Sequence, residues 1–215
     1  MRYSRIKTLL GDNFAKIKDA KILLLGVGGV GGHCLDCLYR SGVSDITIVD
    51  FDSYDETNLN RQIHSEIYLG ESKVEALKKH YPDIKIINTK IDEEWVLNFD
   101  FSKYDLVLDA IDDIKPKVAI AKKCYKKLIS SFGSAKRLDP TKIKVDDVWK
   151  SYGDKFGSKI RYELKKSGFN KKYKVIFSSE EAKVKDKGSF MGVTASFGLV
   201  MCSEALKKIL SKKEN

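Results

Sequence analysis

Short apolar runs alternate with amphipathic stretches along the first 133 residues. Lys21–Gly26 reads KILLLG, ends on a glycine, and leads into an apolar-periodic stretch that continues to Arg40. That order predicts a strand, a phosphate-type turn and a helix. Asp45–Asp50 (DITIVD) predicts a second strand with an acid at its C-terminal end. Glu71–His80 predicts a helix with Val74 and Leu77 on one face, and Ile84–Ile91 alternates as a third strand. Asp105–Ala110 (DLVLDA) is a fourth, and its unbroken apolar run suits a parallel strand covered on both faces. Ile114–Lys127 follows as a helix with Pro116 near its start, and Leu128–Gly133 as a fifth strand. Strand and helix alternate throughout, which predicts an α/β, Rossmann-like, doubly wound and mostly parallel sheet.

The rhythm changes after Gly133. Lys142–Trp149 and Tyr173–Ser178 read as strands, Phe156–Lys166 as a basic amphipathic helix, Val184–Ser189 as a polar loop, and Gly192–Leu210 as a closing helix. No linker interrupts them. The expected organisation is one domain over residues 1–215. Residues 1–133 form the nucleotide-binding core, and residues 134–215 form a C-terminal elaboration of the same sheet on the substrate side.

Composition refines this picture. The most apolar segment, Phe190–Cys202, is about a dozen residues long and contains Gly192, Thr194, Ser196 and Gly198. A spanning helix needs about 20 apolar residues, so a buried helix is expected and no membrane partner. Met1–Gly11 is mixed and charged, unlike an export signal, and the four cysteines then read as reduced thiols of a cytoplasmic protein. The net charge of +10 is uneven: residues 1–114 carry −6, residues 115–175 carry +14 and residues 176–215 carry +2. A basic excess behind the nucleotide signals favours a polyanionic partner, nucleic acid first. The plainer alternative is a lysine-rich chain with solvated lysines everywhere.

The candidate chemistry lies in a string of polar residues behind the glycine turn. Gly26 suits a tight turn, Gly28 and Gly29 a close phosphate approach, and Gly31 close packing of helix on strand. Asp50 lies 24 residues beyond Gly26, where an acid hydrogen-bonds ribose hydroxyls. Asp52 suits the ribose or a metal. Asn58, Arg61 and Gln62 fall in a stretch that reads as an irregular loop, from which Arg61 can clamp a phosphate bidentately. Lys73 opens the next helix as a point charge for the same phosphates. Asp112 and Asp113 follow the fourth strand on the ligand side of such a sheet. A carboxylate there suits magnesium on a triphosphate, or a helix N-cap ahead of Ile114.

Gly26–Gly31, Asp50-Phe51-Asp52, Asn58-Leu59-Asn60-Arg61-Gln62, Lys73 and Ala110-Ile111-Asp112, with Arg2-Tyr3-Ser4-Arg5 ahead of them, resemble the adenylating domain of the ubiquitin-activating-type superfamily. Its bacterial members include the adenylyltransferases of molybdopterin and thiamine sulfur-carrier proteins. The resemblance implies ATP and Mg2+ as cofactors, with magnesium held at Asp112. It implies nucleotide contacts from the turn, Asp50, Asp52, Asn58, Arg61, Gln62, Lys73, Asp112 and Asp113. It implies catalytic roles for Arg5, Arg61, Lys73 and Asp112, and a homodimer in which Arg5 crosses into the partner's ATP site. Leu138–Asp147 (LDPTKIKVDD), Asp154 and Tyr173–Glu180 (YKVIFSSE) resemble one branch, the tRNA threonylcarbamoyladenosine dehydratases. That branch implies a tRNA partner, activated at the carboxylate of a modified adenosine beside the anticodon. Lys136, Arg137, Lys142, Lys144, Lys155, Lys159 and Arg161 are then the candidate tRNA contacts. Whether a cysteine-desulfurase or sulfur-acceptor partner also docks stays open.

The alternative is adenylation of the C-terminus of a ubiquitin-like sulfur-carrier protein. The cysteines discriminate. Relatives of that kind often carry two CxxC pairs for structural zinc and a catalytic cysteine in a crossover loop. Here Cys34-x-x-Cys37 stands without a second pair, and 134–189 contains no cysteine. Zinc needs four ligands, so no structural zinc is expected and all four cysteines are read as core residues. A non-enzymatic nucleotide sensor would not need Arg61, Lys73 and Asp112 together. Two positions depart from the family pattern: Ser130–Ser134 replaces a glycine-richer loop, and Asp113 stands where asparagine is common.

Overall fold

The first strand sets the architecture. In the computed structural model, which describes residues 2–186 and 188–211, β1 (Lys21–Leu25) turns Ile22 and Leu24 to one apolar layer and Leu23 and Leu25 to the other. Successive strand side chains point to opposite faces, so a strand covered on both sides is apolar without alternation. The other strands are β2 (Asp45–Asp50), β3 (Lys85–Asn88), β4 (Leu106–Asp109), β5 (Leu128–Ser131), β6 (Ile143–Asp147) and β7 (Lys174–Ser178). They form one seven-stranded sheet in the order β3-β2-β1-β4-β5-β7-β6. All pairs are parallel except β6 with β7.

The helices are α1 (Ser4–Leu10), α2 (Phe14–Lys18), α3 (Gly31–Arg40), α4 (Lys73–His80), α5 (Glu93–Asn98), α6 (Ile114–Cys124), α7 (Lys155–Lys166) and α8 (Met191–Leu210). One core layer joins the sheet to α3, α4 and α8, with Leu35, Leu38, Phe197 and Met201 inside it. The other joins it to α5, α6 and α7, with Val96, Ile120, Ile160 and Leu164 inside it. The helix after β1 therefore covers one face and the helix after β4 the other. Strands β1 and β4 are neighbours, so their C-terminal ends open a crevice at the switch point of the sheet.

The fold is the one the hydrophobic pattern predicts, and the second half extends the same sheet through β7 and β6. Three helices lie outside that pattern: α1, α2 and α5 are five to seven residues long, too short to show a helical period. The predicted irregular loop after β2 is ordered. Tyr54 is buried within it, donates its backbone N–H to Glu71 and accepts from Gly70, while Asp55 and Asn58 close a capping box on a short 3-10 turn. Among the described residues no helix is long and apolar enough to cross a membrane.

Two buried charge clusters brace the ligand side of the sheet. Lys117 of α6 reaches back to the strand ends: its Nζ donates to Asp109 Oδ2 at 2.9 Å, to Ser131 O at 2.7 Å and to Ser130 Oγ at 3.2 Å. The side chains of Lys117 and Asp109 are 1% and 0% exposed. Burial pulls the Lys117 ammonium below the ordinary lysine value, against the opposing pull of Asp109. The second cluster centres on Asp154, which caps α7 at Phe156 and Gly157, accepts from Gly133 N at 3.1 Å and lies 3.4 Å from Arg137. Glu180 then accepts the Asp139 and Leu138 N–H groups, docking the LDPTK segment against the end of β7.

Both clusters can be tested by substitution. Lys117→Met leaves the Asp109 carboxylate buried without its cation and should cost about 3–5 kcal/mol in urea unfolding; a loss below about 1 kcal/mol would contradict the brace. The Asp139 N–H, first, then Leu138 N–H and Lys183, hold the Glu180 carboxyl below its usual value. A carboxylate depressed by folding adds stability above its unfolded pKa and loses it as pH falls through the folded one. The stability gap between wild type and Glu180→Gln should be open at neutral pH and close below about pH 4. An equal gap at both ends of that range would exclude this role.

Candidate nucleotide and adenylation site

The glycine turn sits in the crevice between β1 and β4. Gly26 has φ +82°, and a Cβ there would lie 3.0 Å from the Ala110 carbonyl. At Gly31 a Cβ would lie 1.9 Å from Gly26 O, so helix α3 starts against the strand end only because both positions lack side chains. Asp50, at the end of β2, ties the turn to the backbone beyond that strand. Its Oδ2 accepts the Val27 N–H at 2.8 Å and its Oδ1 accepts the Asp52 N–H at 2.9 Å. Of the first N–H groups of α3, Gly32 donates to Gly28 O and Cys34 to Val30 O, and the helix dipole favours an anion at the turn.

The Asn58–Gln62 segment lies over this turn. Its anchor is His33 of α3, whose Nε2 meets Arg61 O at 3.2 Å; burial, first, lowers that imidazole below the ordinary histidine value. A Cβ at Gly29 would lie 3.3 Å from Arg61 Cγ, and one at Gly28 would lie 3.7 Å from Gln62 Nε2. Both side chains thus face the glycines. Arg61 Nη1 is committed to Thr57 O and Asn60 Oδ1. Gln62 is buried, and its Oε1 has no hydrogen-bond partner. A buried amide oxygen without a donor is costly, so a donor-bearing ligand at the turn fits this geometry. Asn58 has a local role: its side chain closes the capping box with Asp55.

Lys73 opens α4 as the sequence predicts. Its side chain is buried, and its Nζ lies 3.0 Å from the half-exposed Asp52 carboxylate. The Asp52 backbone carbonyl also accepts the Lys73 N–H at 2.9 Å. Asp50, Asp52 and Lys73 therefore form one chain of contacts from the turn to α4. On the other side of the crevice, Asp113 is the N-cap of α6 and accepts from Lys115 N at 3.2 Å. Asp112 is exposed beside it, three residues past Asp109. Among the described residues no group of three or more His, Cys, Asp or Glu side chains gathers as a metal site. Arg5 stands apart, exposed on α1, which packs on α2.

The basic candidates divide. Lys142, Lys144, Lys155 and Lys159 are exposed, and Lys144 stacks 4.9 Å from the Tyr152 ring centroid. Lys136 bonds back to the Lys185 carbonyl, and Arg161 is held by Ser151 and Ser158. A surface contact from Arg137 is not met: its side chain is 4% exposed, and its donors go to the Gly133, Ala135 and Glu180 carbonyls and to Asp154. Arg137 braces the loop after β5 instead. Cys34, Cys124 and Cys202 are buried and Cys37 is half-buried. Burial pushes the Cys124 thiol up to about 12. The residue missed by sequence reasoning is Lys117; a lysine four residues into a capped helix carries no mark of burial, although Asp109 at the end of an apolar strand is half of the signal.

The chain is similar to known proteins in sequence and in fold. The ThiF family model matches residues 3–215. The tRNA threonylcarbamoyladenosine dehydratase of Bacillus subtilis is 37% identical over 191 residues, covering 83% of this chain and 75% of its own. The Escherichia coli enzyme of the same name is 31% identical, covering 98% and 94%. The crystal structure of that E. coli enzyme in complex with ATP superposes with a TM-score of 0.92 at 32% identity, again covering 98% and 94%. The glycine turn in the β1–β4 crevice, the polar segment laid over it, the family model over residues 3–215 and these matches over most of both chains place the chain in the ThiF family.

Proposed function

We infer that the chain is an ATP-dependent tRNA threonylcarbamoyladenosine dehydratase. The carrying observation is that Arg61 and Gln62, whose buried Oε1 has no hydrogen-bond partner, lie against the glycine turn, while Lys73 is linked to the same turn through Asp52 and Asp50. Two cations around an anion cradle suit the meeting of a triphosphate with a carboxylate, two groups that otherwise repel.

ATP is the co-substrate. Its phosphates suit the Gly26–Gly31 turn and the start of α3, and its sugar the carboxylates at the end of β2. Arg61 and Lys73 offset the phosphate charge, which requires Lys73 to leave or share its ion pair with Asp52. Asp112 suits a magnesium ion, which when bound would neutralise the triphosphate further, with Asp113 kept as the cap of α6. Attack of the threonyl carboxylate on the α-phosphate expels pyrophosphate. The ureido group of the same nucleoside then attacks the activated carbonyl, closes a ring and releases AMP, so the tRNA loses one water. No protein nucleophile is needed, because the attacking group is already tethered to its target. That matches thiols that are buried or half-buried. A homodimer in which Arg5 serves the partner's site, and a cytoplasmic location, belong to the same reading.

Incubation with ATP, magnesium and tRNA bearing the threonylcarbamoyl group, followed by nucleoside mass spectrometry, should show ATP-dependent loss of one water. An unchanged nucleoside, with pyrophosphate exchange driven instead by a small carrier protein, would transfer the chemistry to a protein substrate. Arg61→Ala and Asp112→Ala should each lower kcat/KM about a hundredfold or more with an unchanged melting curve. Near-wild-type turnover in either removes that residue from the mechanism.

A further inference from the structure

We propose that the groove between α6 and α7 is a platform for single-stranded RNA, on which the Tyr162 ring stacks a base next to the reactive nucleoside. The inference rests on tRNA being the substrate and goes beyond it by naming the surface and the contact. The groove has a volume of about 750 Å³, and its lining includes Ile114, Lys115, Lys159, Tyr162, Glu163 and Lys166.

Three observations carry it. The first is place: one wall is the opening turn of α6, and Ile114 follows Asp112 and Asp113 directly. A strand leaving the adenylation crevice over the N-terminus of α6 enters this groove. The second is charge. Lys159 and Lys166 lie three residues before and four after Tyr162, which puts all three on one stripe of α7, with Lys115 facing them. Three ammonium groups against the one carboxylate of Glu163 suit a phosphodiester backbone. Glu163 is an acceptor for the N–H edge of a base.

The third is the aromatic ring itself. Tyr162 is 63% exposed in the middle of this stripe. Other exposed or half-buried rings nearby are in use: Tyr152 sits against Phe177 and Lys144, and Trp149 under Lys165. Among the described residues Tyr162 has no ring or cation contact of this kind, so its π-face is presented to solvent. An aromatic face set between lysines is the arrangement that binds unpaired nucleotides without sequence preference. Duplex RNA hides its base faces, and an acidic peptide would use the lysines without the ring.

The test uses the full chain, ATP, and tRNA carrying the threonylcarbamoyl group, with Tyr162→Ala, Tyr162→Phe and Lys159→Ala beside the wild type. Tyr162→Ala should raise the KM for tRNA on the order of tenfold, with kcat and the KM for ATP little changed, and Tyr162→Phe should restore it. Lys159→Ala should weaken binding of a labelled anticodon-loop oligonucleotide and flatten its log Kd against log salt plot by about 0.7. Because Tyr162 and Lys159 are exposed, unchanged melting curves serve as the folding control. A tRNA KM within about twofold of wild type for Tyr162→Ala overturns the platform while leaving the dehydratase intact. Loss on Lys159→Ala alone also overturns it, leaving a charged surface without stacking. Failure of the wild type to convert the tRNA would instead refute the functional reading and the inference with it.

Discussion

The structure depends on one close approach of backbones. At the switch point of the sheet, Gly26 lies against Ala110, and α3 begins within contact of Gly26 itself. A single methyl at Gly31 would overlap the Gly26 carbonyl, so the helix would have to retreat from the strand. Everything that faces the crevice is measured from this junction. Asp50 is fixed to it through Val27, Asp52 through Asp50, and Lys73 through Asp52. Arg61 is fixed to it from the other side through His33. The site is thus one rigid turn with two short polar chains hung from it.

Buried charge does a second job. The Lys117–Asp109 pair holds α6 to the ends of β4 and β5, and the Arg137–Asp154 pair holds the loop after β5 to the start of α7. Both clusters border the crevice, and both are satisfied by additional hydrogen bonds, which is what makes burial of such groups tolerable. They position the Asp112–Asp113 turn and the entrance to the basic half of the molecule. The positive excess of residues 115–175 is therefore not uniform in role: Lys117 and Arg137 are internal braces, while Lys155 and Lys159 face solvent.

Most of the fold is legible in the sequence because its central strands are buried on both sides. The apolar runs of β1 and β4 lack alternation for that reason, and α3, α6, α7 and α8 are long enough to show a period. Helices α1, α2 and α5 are too short for that signal. The segment between β2 and α4 reads as loop because its order comes from one buried tyrosine, Tyr54, and from local capping by Asp55, which act at positions without periodicity. The turn and Asp50 of the candidate site are legible because spacing after a glycine turn dictates them, and Lys73 because it opens the next helix. The burial of Lys117 and Arg137 is not, since it depends on partners from other strands and loops. The same limit applies to Tyr162, whose exposure is a property of the packed α6–α7 pair.

The central claim is that a carboxylate of the tRNA nucleoside becomes joined to the α-phosphorus of ATP. Transfer of oxygen measures this directly. With substrate tRNA whose threonyl carboxylate carries heavy oxygen, passage through an acyl-adenylate predicts one heavy oxygen in each AMP released and none in pyrophosphate. Heavy oxygen appearing in pyrophosphate or inorganic phosphate, with AMP unlabelled, would contradict it.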